Sequence, residues 1–194
     1  MSATNEFLWA IIGLLLTVFS TFVQAFVVGL PWNWEQQGVE SIPLGVTFQV
    51  GAVLLTGCVG GKNAGVLSQI AYVFLGLFGL PVFAQGGSLN YWQEPSFGYL
   101  LGFIPGAWLC GFMAFRTRRR LECLAWSAVC GLLIIHLCGL VYLIGLSFLN
   151  PTTVSPKSLP ELIMNYSANP LPSQLAITCA VAVAAFILRQ LLFY

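Results

Sequence analysis

Residues 79–103 read GLPVFAQGGSLNYWQEPSFGYLLGF. The stretch begins and ends inside apolar runs, and between those runs lie paired glycines, Asn90, Gln93, Glu94 and several aromatics. Around it, 58% of the 194 residues are hydrophobic and 7% are charged. A soluble domain carries about 25% charge, because its surface must stay in water. This chain is built for lipid, and 79–103 becomes a loop between two membrane spans.

Spanning the hydrocarbon takes about 20 apolar residues. On that ruler six helices are expected, at 7–30, 44–60, 63–80, 96–115, 121–149 and 171–193. The fold class is an all-α membrane protein, with 1–194 forming one compact transmembrane bundle. The second and third spans are short and meet at the GGKNAG turn of 60–65. The first reads as a retained span rather than a signal peptide. Glu6 stands where a basic region would be expected, and the apolar run is too long.

The loops sort by charge. With the N-terminus inside, Lys62, Arg116, Arg118, Arg119, Arg120 and Arg189 fall on the cytoplasmic side. The outer side receives only Lys157, together with Glu35, Glu40, Glu94 and Glu161. This is the positive-inside asymmetry, so both termini are expected in the cytoplasm and RTRRR is an orientation signal beside lipid headgroups. A net charge of +1 gives no basic face for nucleic acid. The long outer loops are then 31–43, 81–95 and 150–170. Trp32 and Trp34 read as interface anchors.

Small residues recur every four positions on three helices: Gly13, Thr17, Thr21, Ala25 and Gly29; Gly98, Gly102, Gly106, Cys110 and Ala114; Ala176, Ala180 and Ala184. Such stripes let helix backbones approach closely in lipid. The first faces either the bundle or a partner subunit. The six cysteines read as small hydrophobes packed between helices, since none forms a CxxC pair.

Polar side chains inside spans are costly unless they are paired or line a wet cavity. Gln24, Thr47, Gln49, Ser96, Tyr99, Tyr142 and Gln174 all fall toward the outer ends of their spans. His136 lies near the middle of the fifth, and Gln69 in an inner half. Each either pairs singly with a neighbouring helix, or they converge on an outward-facing pocket with 81–95 as its lid. Catalytic chemistry is thin. The chain has no Asp for a Ser-His-Asp triad and only one His, so no helical two-His metal motif. TGCVGGKN at 56–63 lacks the first Gly and the final Ser/Thr of a phosphate loop. A non-enzymatic binder of an organic solute, with no cofactor, is the expected class.

LGVTFQVGAVLLTG (44–57), GLPVFAQGG (79–87), PSFGYLLGF (95–103) and HLCGLVYLIGLS (136–147) resemble the BioY family, from about position 42 to the C-terminus. BioY is the biotin-specific membrane subunit, or S component, of energy-coupling factor (ECF) transporters. The resemblance implies six helices, a biotin pocket open to the outside, and a plasma (inner) membrane location. It also implies a transmembrane coupling subunit driven by two ATPases as partner. Thr47 and Gln49 match a T-x-Q beside the pocket, and Gly86, Gly87, Pro95, Gly98 and Tyr99 match the lid and the start of helix 4. The lid's glycines would let backbone N–H groups approach biotin, and its aromatics would wall the ligand. With these, Phe83, Asn90, Tyr91, Ser96, His136 and Gln174 complete the expected site. The family's LPGDLxK-like motif is LPSQLAI here, with Gln174 in place of Asp and Ile177 in place of Lys. That leaves a ligand carboxylate without an obvious cation. Two other readings stand beside biotin capture: the same scaffold serving another vitamin or a biotin precursor, and a membrane assembly protein whose polar residues only join helices.

Overall fold

The structure, a computed structural model, describes residues 3–29, 41–117, 120–149, 154 and 157–192. Helix α1 (Ala3–Thr21) leads into a two-stranded antiparallel hairpin of β1 (Gln24–Val28) and β2 (Ser41–Thr47). Then come α2 (Gln49–Leu77), a 3-10 turn (Leu89–Gln93), α3 (Phe97–Arg116) and α4 (Leu121–Leu149). A short α5 (Leu159–Ile163) runs through a π turn (Met164–Ala168) into α6 (Leu171–Leu191). Among the described residues, five helical stretches are long and apolar enough to cross a membrane, the last combining α5, the π turn and α6.

The expected six helices are present as six arms, because α2 is broken. Gly61 sits at φ 82° and ψ 177°, a conformation essentially closed to residues with a side chain. The chain reverses there, and 49–60 and 62–77 run antiparallel. Gln49 Nε2 donates to Tyr72 Oη at 2.9 Å across the two arms. A Cβ added to Gly65 would stand 3.4 Å from the Gly57 Cα. The first arm covers only about 18 Å at 1.5 Å per residue, and β2 carries the chain the rest of the way.

Two sequence expectations are corrected here. The first helix ends at Thr21 rather than at residue 30, and the second begins at Gln49 rather than at 44. The residues between belong to the hairpin, where Gln24 faces Thr47 and Val27 faces Ile42. QAFVV and SIPLGVT are rich in β-branched residues, which suit a pleated strand. Overall apolarity, which set the predicted boundaries, does not separate the two states. The other correction concerns the last alanine stripe. Ala176 and Ala180 face outward, and α6 packs through Ile177, Thr178, Val181, Ala182 and Ala185 instead.

The remaining stripes are the packing faces. Gly13, Thr17 and Thr21 are buried on α1, whereas Ala25, though buried, belongs to β1. Gly98, Gly102, Gly106, Cys110 and Ala114 are all buried on α3. A Cβ at Gly102 would fall 2.8 Å from the Ile135 carbonyl oxygen, and one at Gly106 would fall 2.6 Å from Ile135 Cγ1. The α3–α4 contact is therefore backbone against backbone. In lipid, where helices gain no hydrophobic drive to associate, such contact supplies the dispersion energy. Cys58 and Cys110 meet in the core with sulfurs 3.3 Å apart, as packed thiols.

The bundle has two unlike ends. At one, Asn63 Nδ2 donates to the Glu6 carboxylate, and Arg189 donates from Nη1 to the Ala114 carbonyl at 2.8 Å with its guanidinium 4.3 Å over the Phe115 ring. Both ends of the described chain, the Gly61 turn and the end of α3 gather here. The other end carries the hairpin, the 78–96 loop and the π turn. Trp32, Trp34, Arg118 and Arg119 lie outside the described residues.

The glycine contact predicts a contrast within one helix pair. Gly102→Val should cost about 3 kcal/mol or abolish folding, as overpacking against backbone does. Gly145→Ala, where an added Cβ meets nothing within 4 Å, should be neutral or stabilising by up to about 1 kcal/mol, the helix propensity difference. Thermal unfolding of the two purified variants in detergent measures both.

Candidate binding site

At the loop end a cavity of about 260 Å³ opens among uncharged polar side chains. The end of β2 contributes Val46 and Thr47, and the first turn of α2 contributes Gln49 and Val50. The 78–96 loop supplies Ala84, Gln85, Tyr91 and Ser96, and α3 supplies Tyr99, Leu100 and Phe103. Ile135 of α4, Tyr166 of the π turn, Pro170 and Gln174 of α6 close the far side. Much of the wall is apolar, and the polar atoms are amides and hydroxyls. Among the described residues, none that lines it is charged. A cavity of about 360 Å³ at the opposite end has the reverse character, with Glu6, Lys62 and Arg116 in its walls.

Two hydrogen-bonded chains hold the site in shape. In the first, the Tyr99 and Ser167 hydroxyls lie 2.6 Å apart, Ser167 Oγ is 3.3 Å from His136 Nδ1, and His136 Nε2 is 2.7 Å from Gln174 Oε1. An amide oxygen only accepts, so His136 carries its proton on Nε2. In the neutral ring Nδ1 then accepts from Ser167, which accepts from Tyr99. The chain joins α3, the π turn, α4 and α6. It also leaves the Gln174 NH2 group, which has no partner among the described residues, to donate into the cavity. In the second chain, Tyr72 receives the Gln49 amide and donates to the Val82 carbonyl at 3.0 Å, while lying 3.2 Å from Thr21 Oγ1. The Gln49 Oε1 is left as an acceptor with no partner among the described residues.

The loop over the cavity is anchored from below. Phe83, 1% exposed, fills a notch at Gly76, where a Cβ would lie 2.0 Å from its ring. Its ring also meets Tyr72 and Tyr91, with centroids 5.3 and 4.6 Å away. Tyr142 donates to the Trp92 carbonyl. Tyr91 Oη stands 3.4 Å from Ser96 Oγ. Burial pushes the Tyr91 phenol above its ordinary pKa, so it remains a neutral hydroxyl.

Of the residues singled out from sequence, Thr47, Gln49, Tyr91, Ser96, Tyr99 and Gln174 are brought together on the cavity wall. The others are placed elsewhere. His136 stands behind Gln174 and Ser167 and orients them. Phe83 is a loop anchor. Asn90 is exposed on the 3-10 turn. Gly98 is a helix contact, its Cβ position 2.2 Å from Tyr142. Gly86 holds φ 88° at a turn, with open space around it. Gly87 makes a close approach, but to the loop itself: a Cβ there would fall 1.9 Å from the Leu80 oxygen and 2.7 Å from the Gly76 oxygen. Gln24 is on an exposed strand position outside the cavity. Gln85, Tyr166 and Ser167 were missed. Tyr166 was visible only as a loop aromatic. The Leu-Pro-Glu start of α5, a proline in a first helical turn, is the signal that could have folded this loop back over the site.

The sequence model of the BioY family matches residues 2–193. Among curated proteins, an uncharacterised 21.2 kDa protein of Cyanophora paradoxa is 33% identical over 99% of this chain and 100% of that one. The biotin transporter BioY of Thermotoga maritima is 42% identical over 57% of this chain and 63% of its own length. Among solved structures, the S component for biotin from an ECF-type ABC transporter superposes with a TM-score of 0.69 at 20% identity, covering 98% of this chain and 95% of that one. That likeness shows a shared fold.

The environment of Gly87 generates a prediction about the loop. Gly87→Ala should lower stability without any ligand present, by about 1–3 kcal/mol, because its Cβ displaces backbone carbonyls. A thermal melt of the ligand-free variant checks this. An unchanged midpoint would mean that the loop does not hold this closed form.

Proposed function

The chain belongs to the BioY family, and from that premise we propose that it is the membrane-embedded subunit that captures biotin for uptake. The observation that carries the reading is the uncharged cavity at the loop end, walled by apolar side chains and furnished with oriented amides and hydroxyls. Biotin has matching parts. Its ureido carbonyl accepts from the Gln174 NH2 group, and its ureido N–H groups donate to Gln49 Oε1 and the hydroxyls of Thr47 or Ser96. Its thioether ring and alkyl chain lie against Leu100, Phe103, Ile135 and the Tyr99–Tyr166 pair, whose rings stack with centroids 6.0 Å apart.

No covalent step is involved and no cofactor is required. Capture is binding, and release to the cell is driven by other subunits: a transmembrane coupling protein and a pair of ATPases. The membrane is the plasma membrane. The end that carries Lys62, Arg116 and Arg189 faces the cytoplasm together with both termini, in keeping with the positive-inside rule. The hairpin, the 78–96 loop and the π turn face outside.

Gln174 offers the direct test. Gln174→Leu removes a ligand partner and leaves the His136 Nε2–H unmatched. An unmade buried hydrogen bond costs about 1–3 kcal/mol, so biotin affinity should fall about tenfold or more. Calorimetric titration of parent and variant reads this, and unchanged affinity would remove α6 from the site. Orientation has its own test, in a chain whose native cysteines are replaced. A cysteine at Ser88 should react with a membrane-impermeant thiol reagent in intact cells, and one at Thr117 should not. The reverse pattern would invert the topology.

A further inference from the structure

We propose that the cavity binds its ligand as an uncharged body, makes no ionic contact with a carboxylate, and accepts neutral amides and esters of the same acid at least as well as the acid itself. The inference rests on the biotin reading and adds the recognition rule for the ligand's acid end.

There are seven lysines and arginines. Lys62 and Arg116 line the cavity at the opposite end, and Arg189 is bonded to the Ala114 carbonyl there. Arg120 immediately precedes α4 at that same end. Arg118 and Arg119 lie outside the described residues, in the link between α3 and α4. Among the described residues, Lys157 is the one cation on the loop side, and it is exposed and absent from the cavity wall. The undescribed segments 30–40, 150–153 and 155–156 contain no lysine or arginine. The sole histidine has both ring nitrogens engaged by Ser167 and Gln174.

Position 177 closes the alternative from α6. It lies one turn below Gln174, but Ile177 is 3% exposed and fills the space over Gly51, its Cγ2 2.8 Å from where a Cβ would be. The charge that does stand near the mouth has the wrong sign for an acid. Glu94 follows the 3-10 turn, in the chain between the wall residues Tyr91 and Ser96, and its backbone N–H donates to the Tyr91 carbonyl at 3.0 Å. A carboxylate taken into this cavity would lose its water with no countercharge, which is strongly unfavourable. The acid end of the ligand therefore stays at the mouth, in water and beside Glu94. Capping it removes a repulsion and loses no contact.

The experiment titrates the purified full chain with biotin, biotin carboxamide and biotin methyl ester, at low and high salt. The expected result is that both neutral compounds bind within about threefold of biotin or more tightly. Biotin's affinity should hold or rise as salt screens Glu94. Glu94→Gln should tighten biotin and leave the carboxamide unchanged, a shift that general loss of structure would not produce. A carboxamide weaker than biotin by more than about threefold, or a biotin affinity that falls steeply with salt, would overturn the inference while leaving biotin capture intact. Failure of all three compounds to bind would overturn the biotin reading and the inference with it.

Discussion

A hydrogen-bonding group in lipid has only protein to bond to, and this constraint organises the loop end of the molecule. Tyr99, Ser167, His136 and Gln174 satisfy one another in a line that crosses three helices and the π turn. Gln49 and Tyr72 do the same between the arms of α2 and hold the Val82 carbonyl of the loop above. Each line ends on a cavity-wall amide with one half committed and the other without a partner among the described residues. The same bonds that make polar groups tolerable in the bundle thus fix the orientation of these side chains, and under the proposed function that spares a ligand the cost of ordering them.

Close packing lets those lines form. Hydroxyls and amides are short, so helices that carry them must approach closely. On α3, glycines at 98, 102 and 106 bring its backbone onto α4. Gly61 folds α2 sharply enough that Gln49 and Tyr72 lie at one level, although they are far apart in sequence. At the opposite end, the Arg189 guanidinium meets a carbonyl in the last turn of α3, where helix carbonyls lack internal partners. Removing those glycines would separate the lines without touching a polar residue.

Much of this was legible in the sequence, for physical reasons. Membrane spans announce themselves by length and apolarity, and the small residues of α3 mark a packing face whatever lies opposite. The polar residues at the outer ends of spans were legible as a group, because lipid penalises each one. What they do individually was not. Gly87 and Phe83 belong to the loop's own packing, and a sequence does not say whether a close approach is to a ligand or to the chain itself. Gln69 bonds to Thr17 of α1 at 3.0 Å and is a helix joint. The β hairpin was hidden because strand and helix are equally apolar in this setting. The proline opening α5 marks a helix start in the last loop, but that the π turn then lays Tyr166 and Ser167 over the site depends on contacts with distant segments such as Tyr99 and His136.

If the proposed function is right, the loop-end cavity holds biotin in the cell. The most direct measurement is to express the full chain in its host membrane, extract it gently, and identify by mass spectrometry what remains bound after purification. The expected result is biotin, in near-equimolar amount with the parent chain and depleted when the cavity is filled by Ala84→Trp. Recovery of a different small molecule in that ratio, lost in the same variant, would contradict the proposed function.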